Sequence, residues 1–173
     1  MAMELACHIG IGPKVNGFAL VTDDNFSARY DLDRINGVFS RPQHKLYGES
    51  YRDVILVMNT AKGGVATAWM LHEMVSRDVA PKAILLNAAN TIIAQGAALA
   101  NMAMCDRFDA GDITTLIHTG DAVSVDPAAG CVHNSTFGCI TPDPSQPPLL
   151  WVRPGASKCG GRFDCHGHEL TCY

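Results

Sequence analysis

The run Val54-Ile55-Leu56-Val57-Met58, followed at once by Asn59-Thr60-Ala61-Lys62-Gly63-Gly64, decides how this chain folds. Five consecutive apolar residues read as a strand buried on both faces, and the small, polar and glycine residues after them turn the chain. A helix is predicted from Gly64 to Arg77, with Val65, Ala68, Trp69, His72 and Val75 along one side. Ala80-Pro81 ends it, because the residue before a proline is driven out of the helical region. Ala83-Ile84-Leu85-Leu86 is a second buried strand. Asn90 or Thr91 then caps another helix running through Ile93, Ala97 and Ala100, whose small residues allow close packing. This strand, helix, strand, helix order implies parallel strands joined by a right-handed crossover.

Outward from this centre the pattern changes. Gly17-Phe18-Ala19-Leu20-Val21 is a short strand. Asp121 to Asp126 alternates, turns through Pro127-Ala128-Ala129-Gly130 and returns through Cys131-Val132-His133, a hairpin signal. The expected domain is α/β with a mixed sheet: a parallel βαβ centre and antiparallel edges. It occupies residues 1–135. From residue 136 the patterning fails, and Pro142, Pro144, Pro147, Pro148 and Pro154 break any long element. Residues 136–173 are expected to form an extended or poorly ordered appendage.

Composition narrows the function classes. The 173 residues are 47% hydrophobic and 17% charged, which suits a globular domain with a real core. A net charge of −4 with no Lys/Arg cluster argues against a nucleic-acid platform. No apolar run is long enough to cross a bilayer, and no basic segment followed by a hydrophobic stretch opens the chain, so no membrane and a cytoplasmic location are expected. The 7 cysteines do not read as an extracellular disulfide framework. Cys7 and Cys105, among apolar neighbours, read as buried, inert thiols. In the tail, Cys159, Cys165, His166, His168 and Cys172 are enough donors for zinc, but their spacing fits no common ligand pattern, and no metal is assigned.

The loop Asn59–Gly64 is the best candidate site. A strand that ends in small residues before a helix exposes backbone N–H groups at the positive end of the helix dipole, where a carboxylate or phosphate binds. Lys62 adds a charge and Thr60 a hydroxyl. The plainer alternative is that Gly63-Gly64 only permits a tight turn. Asn87 and Asn90 reach the same sheet edge if both strands are parallel, either to bind a ligand or, for Asn90, to cap a helix. In Phe26-Ser27-Ala28-Arg29-Tyr30-Asp31, Arg29 either pairs with a substrate carboxylate or is solvated. His44, in a non-helical approach to the central strand, is either a proton carrier or structural.

Several stretches together resemble the swivelling domain of the aconitase X family. Val15 to Asp23 is similar to its opening strand, and His44-Lys45-Leu46-Tyr47-Gly48-Glu49-Ser50 to its His-Pro-Leu-x-Gly-x-Ser segment. Val54 to Met58 with the loop after it matches the strand and active-site loop. Ala80 to Leu86 resembles Ala-Pro-x-Ala-Ile-Ile, Gln95-Gly96-Ala97 the small-residue helix, and Thr119 to Asp126 the closing Thr-Gly-Asp hairpin. The resemblance covers about residues 15 to 133 and rests on the order and spacing of the pieces. It implies an aconitase-type swivelling β/β/α domain, acting as the small subunit of a hydro-lyase and inactive alone. It further implies a larger partner subunit that carries an iron–sulfur cluster, with no cofactor in this chain. The implied substrate is a small hydroxylated carboxylate, such as a hydroxyproline or a mevalonate phosphate. The family loop reads Gly-Arg-Gly-Ser, its serine serving as base; here it reads Ala61-Lys62-Gly63-Gly64, without a serine. Thr60, Lys62 or Thr67 then takes over the proton, or the partner supplies the base, or the reaction differs. Lys62, Gly63, Gly64, Arg29, Asn87 and Asn90 are the candidates for holding substrate. A non-catalytic module that binds anions at Lys62-Gly63-Gly64 is the alternative.

Overall fold

The structure is a computed structural model and describes residues 2–135. The change of character near residue 136, and the Cys/His cluster at 159–172, lie outside the described residues.

Among the described residues, nine strands and two helices follow in the order β1 (Ala2–Ala6), β2 (Val15–Val21), β3 (Leu32–Asp33), β4 (Val38–Phe39), β5 (Ile55–Thr60), α1 (Val65–Ser76), β6 (Ala83–Ala88), α2 (Thr91–Leu99), β7 (Ala103–Asp106), β8 (Ala122–Asp126) and β9 (Cys131–Ser135), with a short 3-10 turn at Ile113–Thr115 between β7 and β8. Seven strands form one mixed sheet in the order β1-β9-β8-β2-β5-β6-β7. The pairs β2–β5, β5–β6 and β6–β7 are parallel, and β1–β9, β8–β9 and β2–β8 antiparallel. The predicted parallel centre and edge hairpin are therefore present. β2 is the seam, parallel to β5 on one side and antiparallel to β8 on the other. β3 and β4 make a separate small hairpin.

The unbroken apolar run in β5 has a direct cause. Side chains alternate across a strand, and here both faces are covered. Leu56 and Met58 join the layer formed with Leu71 and Met74 of α1, Ile93 and Ala97 of α2, and Phe39 and Tyr51 of the β3–β4 lobe. Ile55 and Val57 point the other way, into a second core with Leu5, Val123, Val125 and Val132 of the antiparallel strands. That second core exists because the sheet closes on itself. The chain leaving β1 runs along β7, where Ile11 and Met104 exchange backbone hydrogen bonds of 2.9 and 2.8 Å and the Asp109 amide donates to Ala6 at 3.0 Å. Closure of this kind leaves no long open edge.

The helices pack closely where the small residues lie. A methyl at Gly96 of α2 would come within 2.6 Å of the Ala68 α-carbon of α1, so only glycine permits this approach. Of the five residues read along one side of α1, only Ala68 turns inward. Thr67, Ala68, Leu71 and Met74 are buried, whereas Val65 and Trp69 are 68% and 67% exposed and His72 and Val75 face solvent. The helix carries apolar residues nearly all round, so its periodicity allows two inner faces. Placing Leu71 and Met74 fully in the core contributes about 1.5–3 kcal/mol each, and Ala68, which borders both stripes, packs against Gly96.

Candidate functional site

Strands β2, β5 and β6 run in the same direction, so the chain leaving each of them emerges at one sheet edge, where ligands gather in open parallel sheets. The segment after β2 is zipped onto the loop after β5. The Phe26 amide donates to the Thr60 carbonyl at 2.8 Å, and the Lys62 amide donates to the Phe26 carbonyl at 2.7 Å. This lacing brings residues 24–31 and 41–44 beside Lys62. Together they line a cleft of about 400 Å³, bordered by Asp24, Ser27, Tyr30, Asp31, Arg41 and His44 as well as Lys62 and Gly63. A volume of that size suits a small metabolite.

The start of α1 borders this cleft through Gly63. Gly64 is its N-cap residue, in an extended conformation, with no side-chain cap and no acidic residue in the first turn. The Thr67 amide turns back onto the Gly64 carbonyl at 2.8 Å, and the Val65 and Ala66 amides have no acceptor among the described residues. Gly63 has φ of +132°, and a β-carbon there would meet the Thr67 hydroxyl at 2.3 Å; around Gly64 there is open space.

Electrostatics single out Lys62. The side chain of Asp31 is 2% exposed and accepts hydrogen bonds from Arg41 at 3.2 Å and from the Ser27 amide at 2.9 Å. Asp24 accepts from the Lys45 amide at 2.8 Å. Lys62 is exposed and has no ion pair among the described residues. Both acids on the wall are thus engaged, and of the cations that line the cleft, Arg41 and Lys62, only Lys62 has no ion pair among the described residues.

The remaining candidates fall into distinct places. Thr60 donates its hydroxyl to Asn25 on the cleft wall. Thr67 is 2% exposed on the inner face of α1, beneath Gly63. The Arg29 guanidinium lies 5.4 Å from the ring centre of Tyr30, which itself lines the cleft, and is exposed. Asn87 and Asn90 spend their polar atoms within the fold. The Asn87 amide donates to Asp112 at 2.7 Å and its oxygen accepts from the Ile113 amide at 2.9 Å. Asn90 caps α2 by accepting from the Ile93 amide at 2.9 Å, and its nitrogen donates to the Ala61 carbonyl at 3.3 Å, which clasps the candidate loop.

His44 is buried and stacked on Phe39 with ring centres 4.6 Å apart. Its Nδ1 accepts from the Leu46 amide at 3.2 Å, which leaves the proton of the neutral ring on Nε2. Ser27, Asp31 and Arg41 were not picked out from sequence, although the first two flank Arg29 within one polar segment. The signal that finds them is the direction of β2. Once it is parallel to β5, the loop after it must emerge at the same edge.

Comparison with known proteins agrees with this geometry. Residues 4–134 match the family model described as the aconitase X swivel domain. The chain is 30% identical over 133 residues to a phosphomevalonate dehydratase small subunit of Methanocella arvoryzae, covering 77% of this chain and all of that one. It is 34% identical over 122 residues to the protein of the same name from Thermococcus sibiricus, covering 70% of this chain and 91% of that one. The crystal structure of Thermococcus kodakaraensis aconitase X in its holo form superposes with a TM-score of 0.72 at 27% identity, over 77% of this chain and 98% of that one. Matched over residues 4–134 by that family model, and at 30% identity over the whole length of a curated relative, the chain belongs to the aconitase X swivel-domain family.

Proposed function

We propose that this chain is the small subunit of a hydro-lyase that removes water from a small hydroxylated carboxylate, and that it closes the active site over a larger partner subunit. The observation that carries the reading is the unfilled amino end of α1 with Lys62 beside it, opening on a cleft sized for a metabolite. Such a corner holds a carboxylate or phosphate through backbone amides and one ammonium. The names of the relatives, phosphomevalonate dehydratase small subunit, support a phosphorylated hydroxy acid; a hydroxyproline-type substrate presents a carboxylate to the same donors.

The iron–sulfur cluster implied by the family belongs on the partner in this reading. Of the three described cysteines, Cys105 is buried and its thiol is pushed well up by that burial, Cys7 beside it is raised for the same reason, and Cys131 is half-buried on β9. None of the three borders the cleft. A cluster needs several converging thiolates, and these residues do not fit it. Of the groups able to replace the family serine, Lys62 alone lines the cleft, and its exposure suits a cation that grips the substrate. The proton acceptor is then supplied by the partner, and closure by this domain excludes water from the reacting groups.

Co-expression with the large aconitase X subunit of the same cells tests this. A stable complex that eliminates water from mevalonate 5-phosphate or cis-3-hydroxy-L-proline is expected. Lys62→Ala should lower kcat/KM by about 10- to 100-fold, chiefly through KM, as loss of one charge-assisted contact implies. A complex with full activity after that substitution removes Lys62 from the site. The second reading, an anion-binding module without catalysis, is favoured by the glycine at position 64. It predicts no elimination by the complex but Lys62-dependent binding of phosphorylated hydroxy acids by the isolated chain.

A further inference from the structure

At the antiparallel end of the sheet, away from the cleft, the strand register gathers a different set of side chains. Glu4 of β1 lies directly opposite His133 of β9, and Cys131 is two residues from His133 on the same strand. Alternation along a strand then puts all three on one face. Cys131 Sγ stands 3.5 Å from His133 Nε2, and one ligand atom from each of the three residues falls within 4.8 Å of the others. Two are half-buried and Glu4 is exposed, so an ion can enter from solvent.

We propose that Glu4, Cys131 and His133 form a binding site for a zinc-type divalent cation, with water completing a tetrahedron. The chemistry of the donors fits: one thiolate, one imidazole and one carboxylate are the ligand types zinc prefers, and three protein ligands plus water is a usual open arrangement. So does the geometry. With zinc about 2.3 Å from sulfur and about 2.0 Å from nitrogen, a tetrahedral angle separates the two donors by about 3.5 Å, the spacing already present. The remaining adjustment falls on Glu4, whose exposed side chain is free to rotate toward the pair.

The neighbours support a three-ligand site. Asp126 lies opposite Cys131 on β8, but its carboxylate is held by Lys14 at 3.0 Å and by the Ala129 amide at 3.1 Å. It therefore shapes the field without competing for the ion. Metal binding transfers the Cys131 thiol proton to solvent, and the new Zn–S bond takes the electron pair left on sulfur. The hydrogen-bonded strands hold Cys131 and His133 on a rigid frame, which is what a preformed site requires.

Cobalt titration of the reduced, chelator-stripped full chain tests the proposal. One equivalent of Co²⁺ should give a thiolate-to-cobalt charge-transfer band with the d–d bands of a tetrahedral ion, and Zn²⁺ should displace it. Because residues 139–172 carry further cysteines and histidines, the deciding comparison is by substitution. Cys131→Ser and His133→Gln should each weaken that equivalent by at least about 100-fold, more than is typical for an outer-shell partner, and Glu4→Gln by about 10-fold. Folding of each variant is checked by circular dichroism, and His133→Gln, at a half-buried position, decides if the serine variant does not fold. A folded variant that takes up cobalt with the parent's stoichiometry, affinity and spectrum overturns the proposal, as does a parent chain with no thiolate band.

Discussion

At Gly63 the backbone takes a φ of +132°, and any β-carbon collides with the Thr67 hydroxyl, which is buried and cannot retreat far. Gly64, its neighbour, is extended and surrounded by open space. The two glycines thus make opposite predictions. Gly63→Ala should destabilise the domain by about 1–3 kcal/mol, through both the strained conformation and the collision. Gly64→Ser, which restores the family's loop serine, should fold normally and gain a few tenths of a kcal/mol, because serine caps a helix slightly better than glycine. Thermal unfolding of the two variants checks the contrast. A drop in melting temperature for Gly64→Ser comparable with that of Gly63→Ala would show the loop to be arranged differently.

Among the elements, the 3-10 turn at Ile113–Thr115 is tied to the end of β6 through the Asn87 side chain, which bonds Asp112 and the Ile113 amide. Asp112 accepts from the Thr114 hydroxyl and from the Asn87 amide, each at 2.7 Å, and these two contacts, the hydroxyl foremost, hold its carboxyl below the usual value of 3.8. A carboxylate with a lowered folded pKa adds stability that is fully present above its unfolded pKa and is lost as pH falls through the folded value. The docking of the turn should therefore be intact at pH 5 and weaken only below about pH 3.8. An NMR titration of the Asp112 carboxyl should give a midpoint under 3.8, and Asn87→Ala should move it upward. A midpoint unchanged by that substitution would mean that the Asn87 contact does not form in solution. Helix α1 shows the complementary case, where an element's existence and its orientation have separate causes. Its start at a glycine pair and its end before Ala80-Pro81 follow from local chemistry, but its inward face was settled by competition between two apolar stripes, in which Leu71 and Met74 rather than Val65 and Trp69 entered the core.

At the scale of the molecule, the losing stripe has a consequence. Val65 and Trp69 stand on the outer side of α1, immediately beyond the loop that carries Lys62. Exposed aromatic residues are frequent anchors of protein interfaces. If the domain closes over a larger subunit with Lys62 facing the substrate, this first turn of α1 meets the partner. Trp69→Glu should leave the isolated chain folded, because the side chain is already solvated, and should weaken complex formation by about 5- to 30-fold, the 1–2 kcal/mol expected for a buried aromatic anchor. Sedimentation of the variant with the large subunit measures it, and an unaltered affinity would place the interface elsewhere.

Much of this architecture was legible in local patterning. The apolar run of β5, the helix signals on either side of β6 and the hairpin at residues 121–133 each depend on residues close together in the chain, whose periodicity and turn chemistry carry the information. The glycine loop with its lysine could be picked out for the same reason. Other features arise only from contacts between distant segments: closure of the sheet through Ile11 and Met104, the seam position of β2, and the joining of residues 24–31 and 41–44 to Lys62 in one cleft. No periodicity encodes them. They follow from which apolar faces found each other when the two cores formed, and that outcome belongs to the packed chain as a whole.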